Sequence, residues 1–276
     1  MPGSVLCEGC ASSLPFIDLS LACPRCGAPF GRTLCTECPM PGSESALLHP
    51  EEAFPFTQAR AALSFEDGAR RIISTYKDSD ELRLDAVIAS LLCTAIRGRN
   101  ETHWTGTSVS WGRWIGNEQA SHSVRESSKA KSPVAVSSEA ERSREIPPPL
   151  QDWSQWADAL VYVPASPEAL LRRGFDHMER VAEIVARRTG MALVHALASC
   201  KGARDQRELG RGERLANRSG SFSLAAGAIS DAGAPPRRIV LIDDVFTTGA
   251  TLSAAAHVLL DGGAHEIRTV TCCRVW

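Results

Sequence analysis

The segment Ile239–Leu252, with the sequence IVLIDDVFTTGATL, decides how the chain is interpreted. An apolar, β-branched run leads to two adjacent carboxylates, Asp243 and Asp244. A short loop rich in Thr and Gly, Val245–Ala250, follows, and a helix begins after it. In such an arrangement the loop amides and the helix N-terminus point to one place and favour an anion. The segment therefore predicts a phosphate-binding loop between a strand and a helix.

The side chains of this loop agree with a sugar phosphate as ligand. A glycine lets the backbone approach the ligand closely, and the threonine hydroxyls add hydrogen-bond donors. The residues predicted to contact phosphate are Thr247, Thr248, Gly249, Ala250 and Thr251. Asp243 and Asp244 would bind the hydroxyls of the attached sugar, with or without a divalent metal. The alternative is a plain strand–turn–helix with capping Asp and Thr, but two adjacent acids are a poor choice for capping.

Other phosphate motifs and several protein classes are excluded. The chain contains neither G-x-x-x-x-G-K-[ST] nor G-x-G-x-x-G after a strand. Its longest run without Asp, Glu, Lys or Arg is Val245–Leu260, shorter than the roughly 20 apolar residues of a membrane span. The first residues do not read as a signal peptide, so we expect a cytoplasmic protein whose 10 cysteines are not a disulfide framework.

Strands alternate with helices along the chain, which predicts an α/β fold with a parallel, doubly wound sheet. Strands are predicted at 59–65, 158–164, 191–197, 237–243 and 266–276. Helical faces are predicted at 69–76 and 84–95, at 176–189 before Gly190, and after the phosphate loop up to Gly262 and Gly263. In such sheets ligands bind at the carboxyl ends of the strands.

The 276 residues have room for one large domain or for a medium domain plus a small module, and the net charge of −2 argues neither for nor against nucleic acid as a partner. We predict a Cys-rich module at 1–45, an α/β domain formed by 46–97 and 153–276, and a disordered insertion at 98–152. The insertion holds ten serines and has no sustained apolar period. Three tryptophans inside it are either incidental or a short partner-binding motif: Trp104, Trp111 and Trp114.

Six cysteines form three C-x-x-C pairs near the N-terminus, and two such pairs make a four-thiolate cage that is common in structural zinc sites. The candidate zinc ligands are Cys7, Cys10, Cys23, Cys26, Cys35 and Cys38. Six thiols form one site and leave one pair over. A redox-active pair at Cys7 and Cys10 is the alternative, but it lacks the strand–helix setting expected of one.

The phosphate-loop segment resembles the 5-phosphoribosyl-1-pyrophosphate (PRPP) loop of type I phosphoribosyltransferases. In that family four apolar residues, two acids and two variable positions precede T-T-G-x-T. The resemblance implies that 247–251 bind the 5′-phosphate of PRPP, that Asp243 and Asp244 bind its ribose hydroxyls as the catalytic acids, and that Mg²⁺ accompanies PRPP.

Further segments resemble ComF-type proteins, which are associated with natural competence. One is V-P followed by R-R-G-F, at Val163, Pro164 and 172–175; a second is carried by Gln206, Leu209, Arg214, Asn217 and Phe222. The family's Asn-Gln after R-G-F is Asp176-His177 here. Three C-x-x-C pairs stand where larger members often have four. The missing pair is the one that would precede Cys7, so the resemblance favours zinc binding by Cys23, Cys26, Cys35 and Cys38.

Basic residues near the predicted site are candidates for binding pyrophosphate or nucleic acid. Arg172 and Arg173 follow the strand that ends at Pro164 and would lie at the same sheet edge as the phosphate loop. Residues 199–220 hold six basic and three acidic side chains, hence a local charge of +3. We consider three interpretations of this stretch: a mobile segment that covers bound PRPP, a surface that binds the phosphates of nucleic acid, or a solvated loop or helix face with ion pairs. Its candidate contacts are Lys201, Arg204, Arg207 and Arg214.

Three histidines lie in predicted helices or strands: His177, His195 and His257. His177, at a helix start, is interpreted as a polar cap or surface residue, with a general acid or base as the alternative. His195 and His257 are assigned to strand and helix packing.

The sequence is compatible with two main functions. The first is a PRPP-binding protein of the ComF type that handles single-stranded DNA during uptake, together with other uptake proteins. The second is an active Mg²⁺-dependent phosphoribosyltransferase, a glycosyltransferase that acts on a nucleobase or related acceptor. A third hypothesis, regulation through PRPP and RNA, is weaker because the basic stretch at 199–220 is small. No segment specifies a nucleobase, which favours the first.

Overall fold

The computed structural model describes residues 5–29, 35, 38, 54–100, 150–200, 221–225 and 236–276. The strands are β1 Gln58–Ser64, β2 Ala159–Tyr162, β3 Leu197–Ser199, β4 Phe222–Leu224, β5 Arg238–Phe246 and β6 Glu266–Arg274. The helices are α1 Glu8–Ser12, α2 Asp67–Asp78, α3 Asp85–Ile96, α4 Pro167–Arg173, α5 His177–Thr189 and α6 Ala250–Asp261, and a short 3-10 turn spans Leu82–Leu84.

Four parallel strands form the central sheet, in the order β1-β6-β5-β2. The two longest, β5 and β6, lie in the middle and are apolar and β-branched, as expected for strands buried on both faces. Ile242 of β5 pairs with Tyr162 on one side and with Val270 on the other. This register brings the carboxyl ends of β2, β5 and β6 to one edge of the sheet.

Helices cover both faces of this sheet. Val240 and Ile242 point into a core shared with α2, α3 and α5, whereas Ile239 and Leu241 point into a second core shared with α6. The alternation follows from the two-residue period of a strand. The doubly wound parallel sheet predicted from the sequence is therefore confirmed.

The helices agree closely with their apolar periodicity. The predicted helix at 176–189 is α5, whose N-cap Asp176 accepts hydrogen bonds from the Met178 and Glu179 amides. It ends at Gly190 in the left-handed conformation, as predicted. Cys93 is buried inside α3 as a small apolar side chain, and its burial raises the pKa of its thiol to about 11.

The strand predicted at 191–197 is wrong. Only Leu193 of its first part bridges to β2, at Leu160. The chain then leaves the sheet, and Leu197–Ser199 pairs antiparallel with Phe222–Leu224 in a separate two-stranded sheet. The backbone of this segment thus pairs with β2 only around Leu193, where the Leu160 amide donates to the Ala192 carbonyl and the Val194 amide donates to the Leu160 carbonyl, and its last residues find their partners in β4.

Several sequence predictions fall on other parts of the chain. The three tryptophans of the insertion and the four basic candidates of the 199–220 stretch lie outside the described residues. The described chain resumes at Leu150, and the carbonyl of Gln151 accepts a hydrogen bond from Arg60 at 2.9 Å. The proposed division into module, domain and insertion stays a prediction. No helix in the described ranges is long and apolar enough to cross a membrane.

Candidate functional site

The acid pair lies within β5 rather than after it. The predicted strand ended at Asp243, but β5 continues to Phe246 because its backbone stays paired with β6: Asp243 with Thr271, Val245 with Cys273 and Phe246 with Arg274. Both carboxylates are consequently buried, with 9% of Asp243 and 5% of Asp244 exposed. Two buried acids need partners or protons.

Asp244 has two cationic or polar partners from different helices. Lys77 of α2 forms an ion pair with its Oδ2 atom, and His177 Nε2 of α5 lies 2.9 Å from the same oxygen. Burial alone would raise the pKa of Asp244, but Lys77 and His177 hold it below its usual range. Burial likewise works against the charge of Lys77, and the Asp244 carboxylate outweighs it, so the pKa of Lys77 is raised. Sequence reasoning missed Lys77.

Asp243 has the opposite electrostatic character. Its Oδ1 atom accepts the Asp244 amide at 2.9 Å. Burial, together with the adjacent Asp244 charge, raises the pKa of Asp243 to about 8, although Lys77 opposes the shift. Near neutral pH the pair therefore holds one firmly ionised carboxylate beside one that is largely protonated. A ligand with hydroxyls or a bound cation could use both.

His177 is neither a cap nor a surface residue, and this sequence interpretation is wrong. Asp176 caps the helix instead, and the same carboxylate accepts the Ala165 amide at 2.7 Å. That contact ties α5 to the end of β2. His177 is 6% exposed, its carbonyl accepts the Tyr76 hydroxyl at 2.9 Å, and its Nδ1 atom is buried without a hydrogen-bond partner. Its alternative role as a general acid or base stays a prediction.

We expect Lys77→Met to lower the free energy of unfolding at pH 7 by about 1–2 kcal/mol, because Asp244 loses its cation while Lys77 is partly hydrated. The folded-state pKa of Asp244 is depressed, so this stabilisation is fully present above its ordinary pKa of about 4 and is lost progressively as the pH falls from there toward the lower folded-state pKa. Urea unfolding at pH 7 and pH 3 measures both effects. Arg83→Met, which breaks the exposed pair with Glu81, is the control. A Lys77 effect no larger than that of Arg83 would contradict the assignment.

The phosphate loop forms the turn between β5 and α6. Thr247, Thr248 and Thr251 are exposed, and the Ala250 amide lies 3.4 Å from the Thr248 hydroxyl. Gly249 is the N-cap of α6, in the left-handed conformation with φ at 78°. The loop thus presents hydroxyls and the N-terminus of a 12-residue helix beside the acid pair. That is the arrangement the sequence predicted for an anion.

Gly249→Ala should disturb this turn more than its backbone angle alone implies. A Cβ at Gly249 would lie 2.7 Å from both the Phe246 and Phe54 rings. Gly190 has nearly the same φ, 77°, with open space around it, so Gly190→Ala is a matched control for backbone strain. We expect Gly249→Ala to cost about 2–4 kcal/mol in unfolding free energy and the control about 1 kcal/mol. Equal losses in thermal or urea unfolding would contradict the close packing under the loop.

The two arginines predicted near the site differ in position. Both lie in the last turn of α4, which ends at Gly174. Arg172 is exposed, whereas Arg173 is half-buried and its Nε atom has no hydrogen-bond partner. The pKa of Lys77 is raised by Asp244, and the nearby charge of Arg173 slightly opposes this rise, so Arg173 lies within electrostatic reach of the acid pair. An unpaired buried donor beside a cation suits an anionic ligand.

Four cysteines form a compact cluster: Cys23, Cys26, Cys35 and Cys38. All are buried, and their sulfurs lie within 4.8 Å of one another. The distances are 4.0 Å between Cys23 and Cys38 and 3.4 Å between Cys26 and Cys35. Four thiolates around a tetrahedral zinc ion are about 3.8 Å apart. The cluster therefore fits such an ion, and it is the set that the resemblance favoured.

The thiols of the cluster also interact electrostatically. The contact with Cys38 lowers the pKa of Cys26 to about 4 and raises the pKa of Cys38. The deprotonated form of a cysteine thiol, the thiolate, is the form that binds a metal.

The remaining C-x-x-C pair lies elsewhere. Cys7 is exposed at the N-cap of α1, and its sulfur accepts the Cys10 amide at 3.4 Å. Within the described part of the chain these two thiols join no group of three or more metal-ligating side chains.

The fold and the acid–loop site define a doubly wound, parallel α/β protein with a four-cysteine cluster near its N-terminus. Its sequence relatives are competence proteins. Competence protein F of Haemophilus influenzae is 26% identical over 198 residues, which are 71% of this chain and 64% of that protein. Competence protein ComFC of Streptococcus pneumoniae is 30% identical over 114 residues, 41% of this chain and 47% of that protein. These relatives confirm the resemblance to the ComF family.

This chain spans less than two thirds of the length of either relative. No protein-family model matches it. Among solved structures, the allosteric regulatory enzyme of purine biosynthesis aligns with 42% of this chain and 22% of its own, at 22% identity and a TM-score of 0.28. The assignment of the fold therefore rests on the topology of the sheet described above and not on this structural neighbour.

Proposed function

We propose that this protein binds PRPP with Mg²⁺ and acts in natural competence, where it handles incoming single-stranded DNA. The observation that carries the proposal is the buried acid pair joined directly to the Thr–Gly loop at the carboxyl end of β5. A hydroxyl-bearing sugar with a phosphate at one end fits this juxtaposition, with the ribose at Asp243 and Asp244 and the 5′-phosphate at 247–251.

Further side chains suit the pyrophosphate of PRPP. Arg173 offers the unpaired Nε donor, and Lys77 offers an ammonium group that is 32% exposed in its side chain. Mg²⁺ would supply positive charge between the pyrophosphate and the ribose. Lys77 is held by Asp244 in the structure without ligand, so binding of the sugar would redistribute hydrogen bonds around this carboxylate.

The competence role rests on the two relatives and on the basic stretch at 199–220. Binding of a fluorescent 30-nucleotide single strand, followed by anisotropy at several salt concentrations, tests it. We expect affinity to fall steeply with salt, and Arg204→Glu with Arg207→Glu to weaken it about tenfold or more. Arg83→Glu with Arg238→Glu, two exposed arginines in acid pairs, is the charge-matched control. Absence of binding at low salt would refute the DNA-handling role.

Transferase chemistry is the second candidate function. The placement of His177 against Asp244, beside the predicted ribose site, favours it because a histidine there could move a proton on an attacking base. Release of pyrophosphate from PRPP in the presence of nucleobases tests this candidate. Base-dependent release that His177→Gln abolishes without loss of PRPP affinity would establish an enzyme, and its absence would leave PRPP as a bound ligand.

A further inference from the structure

We infer that Arg274 is a positioning residue through which a metal ion in the four-cysteine cluster sets the conformation of the phosphate loop. Arg274 is the last residue of β6 and is only 3% exposed. A buried guanidinium is expensive unless its donors are used, and these donors point to two parts of the molecule.

One part is the metal cluster. Arg274 Nε donates to the carbonyl oxygen of Cys26 at 3.2 Å. Cys26 belongs to the turn 23–27, CPRCG, which supplies two of the four thiols. Metal binding fixes the positions of Cys23 and Cys26, and so fixes the carbonyl that receives this hydrogen bond.

The other part is the phosphate loop. Arg274 Nη1 donates to the carbonyls of Thr247 at 2.6 Å and Phe246 at 3.3 Å. The guanidinium carbon lies 4.2 Å from the centre of the Phe246 ring. Thr247 begins the segment predicted to bind phosphate, so one side chain joins the metal turn to the entry of the loop.

A second set of contacts also connects the metal turn to the phosphate loop. Arg25, inside the metal turn, donates to the Phe54 carbonyl at 2.6 Å. Phe54 stacks on Phe56 and meets Phe246 edge-on, with ring centres 4.8 Å and 5.6 Å apart. These rings pack beneath Gly249. The metal turn thus supports both the start and the glycine of the loop.

Arg274→Lys tests the inference because lysine keeps the charge and cannot bridge carbonyls on both sides. Arg268→Lys is the matched control: the same substitution in the same strand, on a side chain 8% exposed, at the far end of β6. The full-length protein and both variants are compared with zinc bound and after its removal by a chelator. The readouts are hydrogen exchange of the 245–252 amides, PRPP·Mg²⁺ affinity, and zinc affinity with and without PRPP.

In the unmodified protein and in Arg268→Lys, we expect zinc removal to speed exchange of the loop amides and to weaken PRPP binding roughly 5- to 20-fold, with PRPP tightening zinc binding by the same factor. In Arg274→Lys, PRPP binding should be weaker with zinc present and nearly insensitive to its removal. If the zinc-free protein unfolds, two comparisons still test the inference. They are the PRPP affinities of the zinc-loaded variants and the zinc affinities measured with and without PRPP.

Unchanged loop exchange and unchanged PRPP affinity on zinc removal would overturn the inference, as would full zinc sensitivity in Arg274→Lys. Only the affinity readouts rest on the proposed function. If zinc-loaded protein fails to bind PRPP, the proposed function fails, and the exchange measurement still decides the role of Arg274.

Discussion

Asp243→Asn should weaken PRPP binding roughly 10- to 100-fold and at the same time make the protein more stable at alkaline pH. Asp243 is largely protonated without ligand, but its carboxyl can release the proton and accept the ribose hydroxyls as a charged group when PRPP and Mg²⁺ bind, whereas an amide cannot ionise. Loss of a hydrogen bond to a charged group costs roughly 10- to 100-fold in affinity. The same amide can still accept the Asp244 N–H through its oxygen, so the fold of β5 is preserved.

The stability effect follows from the raised pKa of Asp243, about 8 in the folded protein. In the unfolded chain this carboxyl ionises near pH 4, so the unfolded state binds fewer protons between about pH 4 and pH 8, and stability falls as the pH rises through this window. An asparagine removes that loss, and we expect a gain on the order of 1 kcal/mol at pH 8 that vanishes below pH 4.

Asp244→Asn provides the contrast. It should also weaken PRPP binding, but it separates Lys77 and His177 from their shared carboxylate and should lower the melting temperature. Asp158→Asn, at the opposite end of the sheet, should leave PRPP affinity unchanged. Calorimetric affinities and thermal melts at pH 5 and pH 8 measure these effects. Melting temperatures that shift in the same direction for Asp243→Asn and Asp244→Asn at pH 8 would contradict the opposite electrostatic roles of the pair.

The second large effect is expected at the metal cluster. Cys26→Ser should remove bound zinc, from about one ion per chain to almost none, because three thiolates hold the ion much more weakly than four. The cluster packs in the same core as α6 and the inner face of β5, so its loss should spread into the α/β domain. We expect a loss of about 3 kcal/mol or more in unfolding free energy.

Cys7→Ser is the matched control, since Cys7 lies in the C-x-x-C pair outside the cluster. Zinc content by atomic emission, with thermal melts of both variants, is the measurement. The control should retain its zinc and its melting temperature. Zinc lost from Cys7→Ser and retained in Cys26→Ser would reverse the assignment of the ligand set.

Local patterns predicted much of this fold. The apolar run before Asp243 has the β-branched composition of a central strand. The 3-1-3 spacing of apolar residues in α3 predicts a helix, which the structure confirms but buries on nearly every side rather than along one face. Gly190 ends α5 in the left-handed conformation expected of glycine, and after α6 Gly263 adopts a positive φ. The phosphate loop was readable for the same reason, because its acids, threonines and glycine are contiguous.

What the sequence did not reveal depends on contacts between distant segments. Lys77 reads as an ordinary cation in the last turn of a helix, where it also suits the helix dipole. Nothing near it in sequence indicates that the fold carries it to Asp244, 167 positions later. His177 is a similar case, because it is interpreted from the sequence as a cap or surface residue and is buried against Asp244 and Tyr76. The sequence indicates no role for Arg274, whose buried contacts also come from distant segments.

The measurement that tests the central claim most directly is a calorimetric titration of PRPP, with Mg²⁺, into the zinc-loaded full-length protein, with ribose 5-phosphate and pyrophosphate titrated separately. We expect saturable binding of one PRPP per chain, weaker binding of either half alone, and binding of PRPP by Asp243→Asn that is roughly 10- to 100-fold weaker. Absence of PRPP binding by the unmodified protein, or equal binding by Asp243→Asn, would show that the acid pair and the Thr–Gly loop do not form a phosphoribosyl site.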